Sequence, residues 1–488
     1  CTESALSLLS GYTYLLMFKS SKSQKNKSTG VSRIKTGSFE RKLSLTKTGL
    51  MVGTRMTGHL AASFFTPKDK REAKRKKILS KQAQYLVEEL GRLKGSVVKI
   101  GQVMALYGEH FLPVEVTEAL HTLEENTVAL DWPMIRAVLS EQLGEEMLAQ
   151  LDIEHVPIGT ASLGQVHCAR IRATNELICL KVQYPGVAQA VDTDLNAVAQ
   201  ILKIARVVTF GPAFDDWLEE VRVMMHREVD YRLEAKTTDH FNQLLADDTR
   251  FVVPRVYFEF SSDQVLATSF ELGENVSSPL VSQLSQTRRN ILAKASLELF
   301  LKELFVWHEI QTDPNFGNYR IRIDEKGQAD QIVLLDFGAV QKYPDSFIRP
   351  VCRMISSAYN SDIKGVIEGG IALQFMNKSW PESVLTEFAN VCIAVLEPLA
   401  KNNASAGKEA FNHDGEYCWR ASDLPTRIAK RAAVSAISRY FKIPPKEFVF
   451  LNRKLVGVYT FISVLGGQFN GAEQLAPYVE MFVDKTSS

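Results

Sequence analysis

Between Leu86 and Met104 the apolar positions fall at helical spacing. Leu86, Leu90, Leu93, Val97, Ile100 and Met104 follow steps of four and three, one stripe along a long helix. Gly91, Gly95 and Gly101 interrupt that stripe. Each costs about 1 kcal/mol relative to Ala, so packing or a close backbone approach is expected there. Further helical stretches are predicted over 113–123 and 132–148. The pattern then turns strand-like over Val166–Ile171 and Leu177–Val182, helical over 187–240, and strand-like again over Phe251–Phe258 and Val265–Phe270. From Ser282 onward helices are expected, with short strands between Asp313 and Gly338. No run of about twenty uncharged apolar residues occurs. The best run, Leu455–Gly467, is expected to be a buried helix.

Charge divides the chain. Over all 488 residues the net charge is +1, yet Lys19–Ser80 holds 17 Lys or Arg against 3 Asp or Glu. The remainder carries 40 basic against 53 acidic residues. A basic, Ser/Thr-rich arm on an acidic body suggests a tail that meets an anionic surface, either phospholipid headgroups or nucleic acid. Six scattered cysteines offer neither a disulfide framework nor a zinc site, which points to a reducing compartment. The chain opens on Cys1, and Met17 directly precedes the basic arm, so residues 1–16 are expected not to be native.

The chemistry concentrates in two short segments. Gln311-Thr312-Asp313-Pro314-Asn315-Phe316-Gly317-Asn318 puts an acid and an amide five residues apart, close enough for one tight loop to aim both at one point. Asp336 opens Asp-Phe-Gly after the apolar run Gln331–Leu335, read as a buried strand. Strand followed by Asp-Phe-Gly is the metal-binding element of kinases. Lys181, flanked by apolar strand neighbours, can hold its ammonium against nucleotide phosphates if a carboxylate secures it. Glu228, Asp230 and Glu234 on the following helix are the candidates. Gly159–Val166 is small and flexible and stands where a kinase has its phosphate loop, without being Gly-x-Gly-x-x-Gly. No Walker A motif occurs. Lys99 and Gln102, three apart, project from nearly one helix face.

Four elements taken in order carry a family resemblance: Lys-Ile-Gly-Gln at 99–102, Gly-Gln-Val-His at 164–167, Glu-Val-Asp at 228–230, and Asp313, Asn318 and Asp336. With them the chain resembles the UbiB, or AarF-domain, family of atypical kinases over roughly residues 80–480. The resemblance implies an α+β, bilobal, protein-kinase-like fold with a helical N-terminal extension and a predominantly helical large lobe. The expected divisions are a basic arm (1–75), an extension carrying Lys-x-Gly-Gln (76–150), a small lobe (151–270) and a helical large lobe (271–488).

The same resemblance assigns roles. Lys99 and Gln102 would cover the place where a protein kinase admits its peptide, with Glu228 and Asp230 meeting Lys99 in a gating set. Lys181 would contact the ATP phosphates, paired with Glu234. Ala161, Ser162, Gly164 and Val166 would line the nucleotide, and Phe270 and Glu271 would belong to the adenine-binding hinge. Asp313 would stand at the catalytic acid's place, and Asn318 and Asp336 would ligate Mg²⁺. Gln311-Thr312 replaces the usual His-Arg, and no Ala-Pro-Glu follows, so activation-loop control and conventional protein-kinase activity are not expected. The expected function is a Mg²⁺-dependent, ATP-binding atypical kinase or ATPase supporting ubiquinone biosynthesis. Its partners would be quinone-biosynthesis proteins or lipid precursors, with no nucleic acid. Its place would be the cytoplasm, peripheral at the inner membrane surface. The competing readings are a small-molecule kinase of the aminoglycoside or choline type and a nucleotide-binding scaffold without turnover.

Overall fold

The computed structural model describes residues 96–107, 112–121, 129–204, 211–374, 376–402, 406–428, 440 and 446–487. The expected basic arm, the start at Met17 and the helical stripe before Gly95 lie outside the described residues. The chain forms two compact units. Among the described residues, one holds 96–239 and 255–270, and the other 240–254 and 271–487.

The first unit is built on an antiparallel sheet of β1 (Leu151–Ile153), β2 (Gly159–Thr160), β3 (Gly164–Ile171), β4 (Leu177–Gln183) and β6 (Val265–Ser269). Its order is β1-β3-β4-β6, with β2 beside β3. Apolar and β-branched residues favour these strands, and Asn175 supplies the left-handed residue that reverses the chain between β3 and β4 (φ 63°). Helices α1 (Ser96–Tyr107), α2 (Val114–His121), α3 (Trp132–Leu148), α4 (Val187–Ile204), α5 (Pro212–Glu228) and the part of α6 (Tyr231–Leu244) up to Asp239 accompany the sheet. Ile100, Met104, Leu139, Leu180, Leu195 and Val221 share one buried core, so the Lys-x-Gly-Gln helix packs with the sheet's own helices. Helix α3 has the expected bounds, but Gly144 (φ 77°) kinks it near its end.

In the second unit α7 (Gln286–Lys302) is buried along most of its length through Leu292, Ala293, Ala295, Leu297, Leu299 and Phe300. Around it stand α8 (Asp345–Tyr359), α9 (Ile363–Ala372), α10 (Glu382–Val395), α11 (Lys446–Leu465) and α12 (Gly471–Ser487). Strand β9 (Gln331–Leu334) pairs parallel with β5 (Phe251–Val252) and antiparallel with β8 (Tyr319–Arg322). Strand β7 (Glu309–Gln311) pairs with β10 (Val340–Lys342).

The strand expected over Phe251–Phe258 is only partly formed. β5 stops at Val252, Val256 makes an isolated bridge to Thr268, and Phe258–Phe260 turns into a short 3₁₀ helix. Pro254 explains the break, because it has no N–H for a ladder and fixes its own φ. Helix α11 is long and apolar enough to span a bilayer by length and composition, and half of its apolar stretch is buried within the protein.

Candidate active site

Two groups of the expected residues are assembled, one in each unit. In the first, Lys181 lies on β4 between Leu180 and Val182, both fully buried, so the alternation of the strand turns Lys181 to the other face. Val166 is its register partner on β3 and shares that face. The Lys181 ammonium sits 2.6 and 2.9 Å from the two carboxylate oxygens of Glu234 on α6. Glu234 is only 5% exposed, and the Tyr231 ring lies 5.1 Å from the ammonium. Both interactions favour the charged amine and hold it in one place.

Gly164 explains why the loop before β3 is small. A Cβ there would lie 2.5 Å from the Val182 carbonyl oxygen and 3.0 Å from the Tyr231 hydroxyl. The Ala161 amide donates to the Gly164 carbonyl at 2.8 Å and closes a tight turn through Ser162 and Leu163. Next to it, two polar residues are completely buried. Gln165 accepts from the Leu130 amide at 2.8 Å. His167 Nδ1 lies 2.8 Å from the Glu154 carbonyl, and its Nε2 lies 2.9 Å from Gln165 Nε2. Only a neutral imidazole protonated at Nδ1 satisfies both contacts. Burial accordingly lowers the His167 pKa from its ordinary 6.5.

Lys99 on α1 meets Glu228 at the end of α5, 2.7 Å away. The pair is 22% and 33% exposed, a situation worth at most about 1 kcal/mol, so it places groups more than it stabilises them. Gln102 lies three residues further along α1 and is half-buried. Asp230 differs from the expectation that it meets Lys99. It stands immediately before α6, where its carboxylate accepts the Leu233 amide at 2.9 Å. Unpaired N–H groups at a helix start attract an Asp there, and this cap sets the turn that carries Glu234. Phe270 extends the β4–β6 ladder through its amide to the Leu177 carbonyl (3.1 Å). Glu271 belongs to the other unit, where its side chain pairs with Arg322.

In the second unit, strand ladders bracket two loops. The loop 312–318 leaves β7 and enters β8, while the loop 335–339 leaves β9 and enters β10. Since β7 pairs with β10 and β8 with β9, the loops are held together at both ends. The Leu335 amide donates to the Asn318 carbonyl (2.9 Å), and the Thr312 amide and hydroxyl both donate to the Ala339 carbonyl (3.0 and 2.7 Å). Asn315 folds the first loop by accepting from Gly317 (2.8 Å). Asp313 accepts from the Asn315 amide at 3.2 Å and from Asn318 Nδ2 at 2.8 Å. Only the nitrogen of an amide can face a carboxylate, so the Asn318 oxygen is turned away from Asp313. Asn318 and Asp336 line one pocket, and the Asp336 carboxylate accepts from the Gly338 amide at 2.9 Å.

That pocket also holds residues the sequence reading passed over: Glu303, Tyr319 and Lys454. Glu303 opens a π-helical turn (Glu303–Trp307) that ends α7, a local widening of the helix common at functional sites. Its carboxylate lies 3.0 Å from the Lys454 ammonium of α11, with the two side chains 2% and 4% exposed. Burial opposes the Lys454 charge, but the Glu303 carboxylate and the Tyr319 oxygen outweigh it and raise the pKa. Removing one partner of so buried a pair costs about 3–5 kcal/mol. The usable signal was faint: Lys454, beside Arg453, directly precedes the apolar run Leu455–Gly467.

The family model described as the ABC1 atypical kinase-like domain matches residues 122–369. The Schizosaccharomyces pombe protein "Atypical kinase COQ8, mitochondrial" is 26% identical over 83% of this chain and 63% of its own. The Danio rerio "Atypical kinase COQ8B, mitochondrial" is 30% identical over 80% of this chain and 59% of its own. This chain thus spans about three-fifths of the length of those relatives. A solved structure, the complex of Rv3197 with erythromycin from Mycobacterium tuberculosis, shares the fold with a TM-score of 0.56. It is 22% identical and covers 84% of this chain and 97% of the other. With just over half of its residues matched by that domain, the chain belongs to the ABC1 atypical kinase-like family.

Proposed function

We propose that this protein binds ATP with Mg²⁺ and hydrolyses it or transfers its terminal phosphoryl group, in support of ubiquinone biosynthesis. The observation that carries the reading is the Asp313–Asn318 lock beside Asp336. An amide oxygen and a carboxylate are hard donors, so the residues present fit Mg²⁺. The cation, when bound, neutralises charge on the phosphates.

Asn318 and Asp336 hold that cation, and Asp313 orients the attacking oxygen. Lys181, fixed by Glu234, binds the phosphates, and the small loop of Ala161, Ser162, Gly164 and Val166 lets the nucleotide come close to the backbone. Phe270 and Glu271 serve the adenine. Lys99, Gln102, Glu228 and Asp230 restrict entry: Lys99 by its pairing with Glu228, Asp230 by fixing the start of α6.

The relatives named above as mitochondrial move the proposed location from the cytoplasm to the mitochondrion. Peripheral contact with an anionic membrane would come through the basic segment before residue 80, and quinone-biosynthesis proteins or lipid precursors would be the partners. Phosphate release, measured with and without lipid or a phenolic quinone precursor, tests the activity. The wild type should turn over ATP slowly with stimulation by those additions, and Asp336→Asn should lose it. Equal turnover by Asp336→Asn would contradict the assignment.

A further inference from the structure

We infer that Lys454 is a positioning residue for the Mg²⁺-nucleotide site, acting through Glu303, Tyr319 and Gln311 from a helix outside the matched family domain. This rests on the function proposed above. The observations form a connected path. The Lys454 ammonium reaches both carboxylate oxygens of Glu303, at 3.0 and 3.3 Å. Glu303 Oε1 in turn accepts the Gln311 amide at 3.4 Å. Lys454 and Tyr319 line the same pocket, and the Tyr319 hydroxyl donates to Gln311 Oε1 at 3.2 Å. Gln311 Nε2 then donates to the Asp336 carbonyl at 3.4 Å.

An amide suits this place because it offers an acceptor to Tyr319 and a donor to Asp336 at once. Tyr319 directly follows Asn318, so the path touches both proposed Mg²⁺ ligands through their own backbone. Gly457 stands one helical turn beyond Lys454, on the same face of α11. A Cβ at Gly457 would lie 2.4 Å from the Pro314 side chain, next to Asp313. Helix α11 therefore meets the Asp313–Asn318 loop through Gly457 and the Glu303 turn through Lys454. It begins at residue 446, while the family match ends at 369. Polar partners behind metal ligands typically tune affinity about 10–100-fold, by fixing ligand orientation.

Mn²⁺ serves as the probe, with its affinity read by electron paramagnetic resonance in the presence of a non-hydrolysable ATP analogue. Two variants are measured. Tyr319→Phe deletes one hydroxyl and keeps the ring. The double variant Lys454→Met with Glu303→Gln removes the pair without stranding a charge. Both should bind Mn²⁺ about tenfold or more weakly, while Tyr319→Phe melts near the wild-type temperature. A pair that serves stability alone would lower the melting temperature and leave Mn²⁺ affinity within twofold of wild type, and that result overturns the inference. If the double variant fails to fold, Tyr319→Phe decides by the same criterion. Failure of the wild type itself to take up Mn²⁺ with the analogue would instead sink the proposed function, and this inference with it.

Discussion

A lysine ammonium at the end of a four-carbon stem stays in one place only if something holds it. For Lys181 that holder is Glu234, through two short bonds and almost full burial of the carboxylate. Glu234→Gln keeps the shape and loses the charge. Losing a charge-assisted hydrogen bond costs about 1.5–3 kcal/mol, so ATP affinity should fall roughly tenfold or more. Titration with a fluorescent ATP analogue checks this, and unchanged affinity would show that the pair does not serve the nucleotide. The Asp313 and Asn318 arrangement was legible beforehand because five residues of loop bring the two together with no help from distant chain. Glu303 and Lys454 were not legible in that way. They are 151 residues apart, and only folding makes them neighbours. Asp230 was misread in its contact, since an acid just before a helical stretch has a local use as a cap that competes with any distant cation.

Among the elements, β3 and β4 form the framework of the first unit, and Gly164 is the position where their approach leaves no room. In Gly164→Ala the new methyl would meet the Val182 carbonyl oxygen, which is backbone in a paired strand and cannot swing aside. Overpacking of this kind costs about 1–3 kcal/mol, and the shift must also disturb Tyr231 beneath Lys181. A lowered thermal midpoint together with weaker nucleotide binding is expected. An unchanged midpoint would mean that the strands part easily. Helix α3 and strands β3, β4 and β6 were readable from periodicity, since each buries one face in a single core. The segment after Val252 was not, because the apolar pattern of Phe251–Phe258 continues while Pro254 ends the ladder. Gln165 and His167 stood out as part of the Gly-Gln-Val-His motif, but their structural role was hidden in another way. A strand pattern treats buried polar residues as noise, although here they bond to each other, to Leu130 and to Glu154.

At the scale of the whole molecule, the buried His167 ties folding to pH. Its folded pKa lies below 6.5 because burial disfavours the imidazolium, so the unfolded chain binds that proton more readily. Stability from this group is complete above about pH 6.5 and is lost as pH falls toward the depressed folded value, with a slope of at most about 1.4 kcal/mol per pH unit. Thermal melts from pH 8 to pH 5 should show the wild type losing more stability than His167→Gln. Parallel curves would mean that the imidazole protonates without penalty. The two units each carry a self-contained polar arrangement, and both arrangements include residues matched by the ABC1 atypical kinase-like domain. The central claim of the proposed function is that the Asp313, Asn318 and Asp336 arrangement serves a magnesium-bound adenine nucleotide. Isothermal calorimetry of the full chain with ATP, run with Mg²⁺ and with a chelator, tests it most directly. Binding that requires Mg²⁺ and disappears in Asp336→Asn is the predicted result. Equal heats with and without the cation, or none in either case, would contradict it.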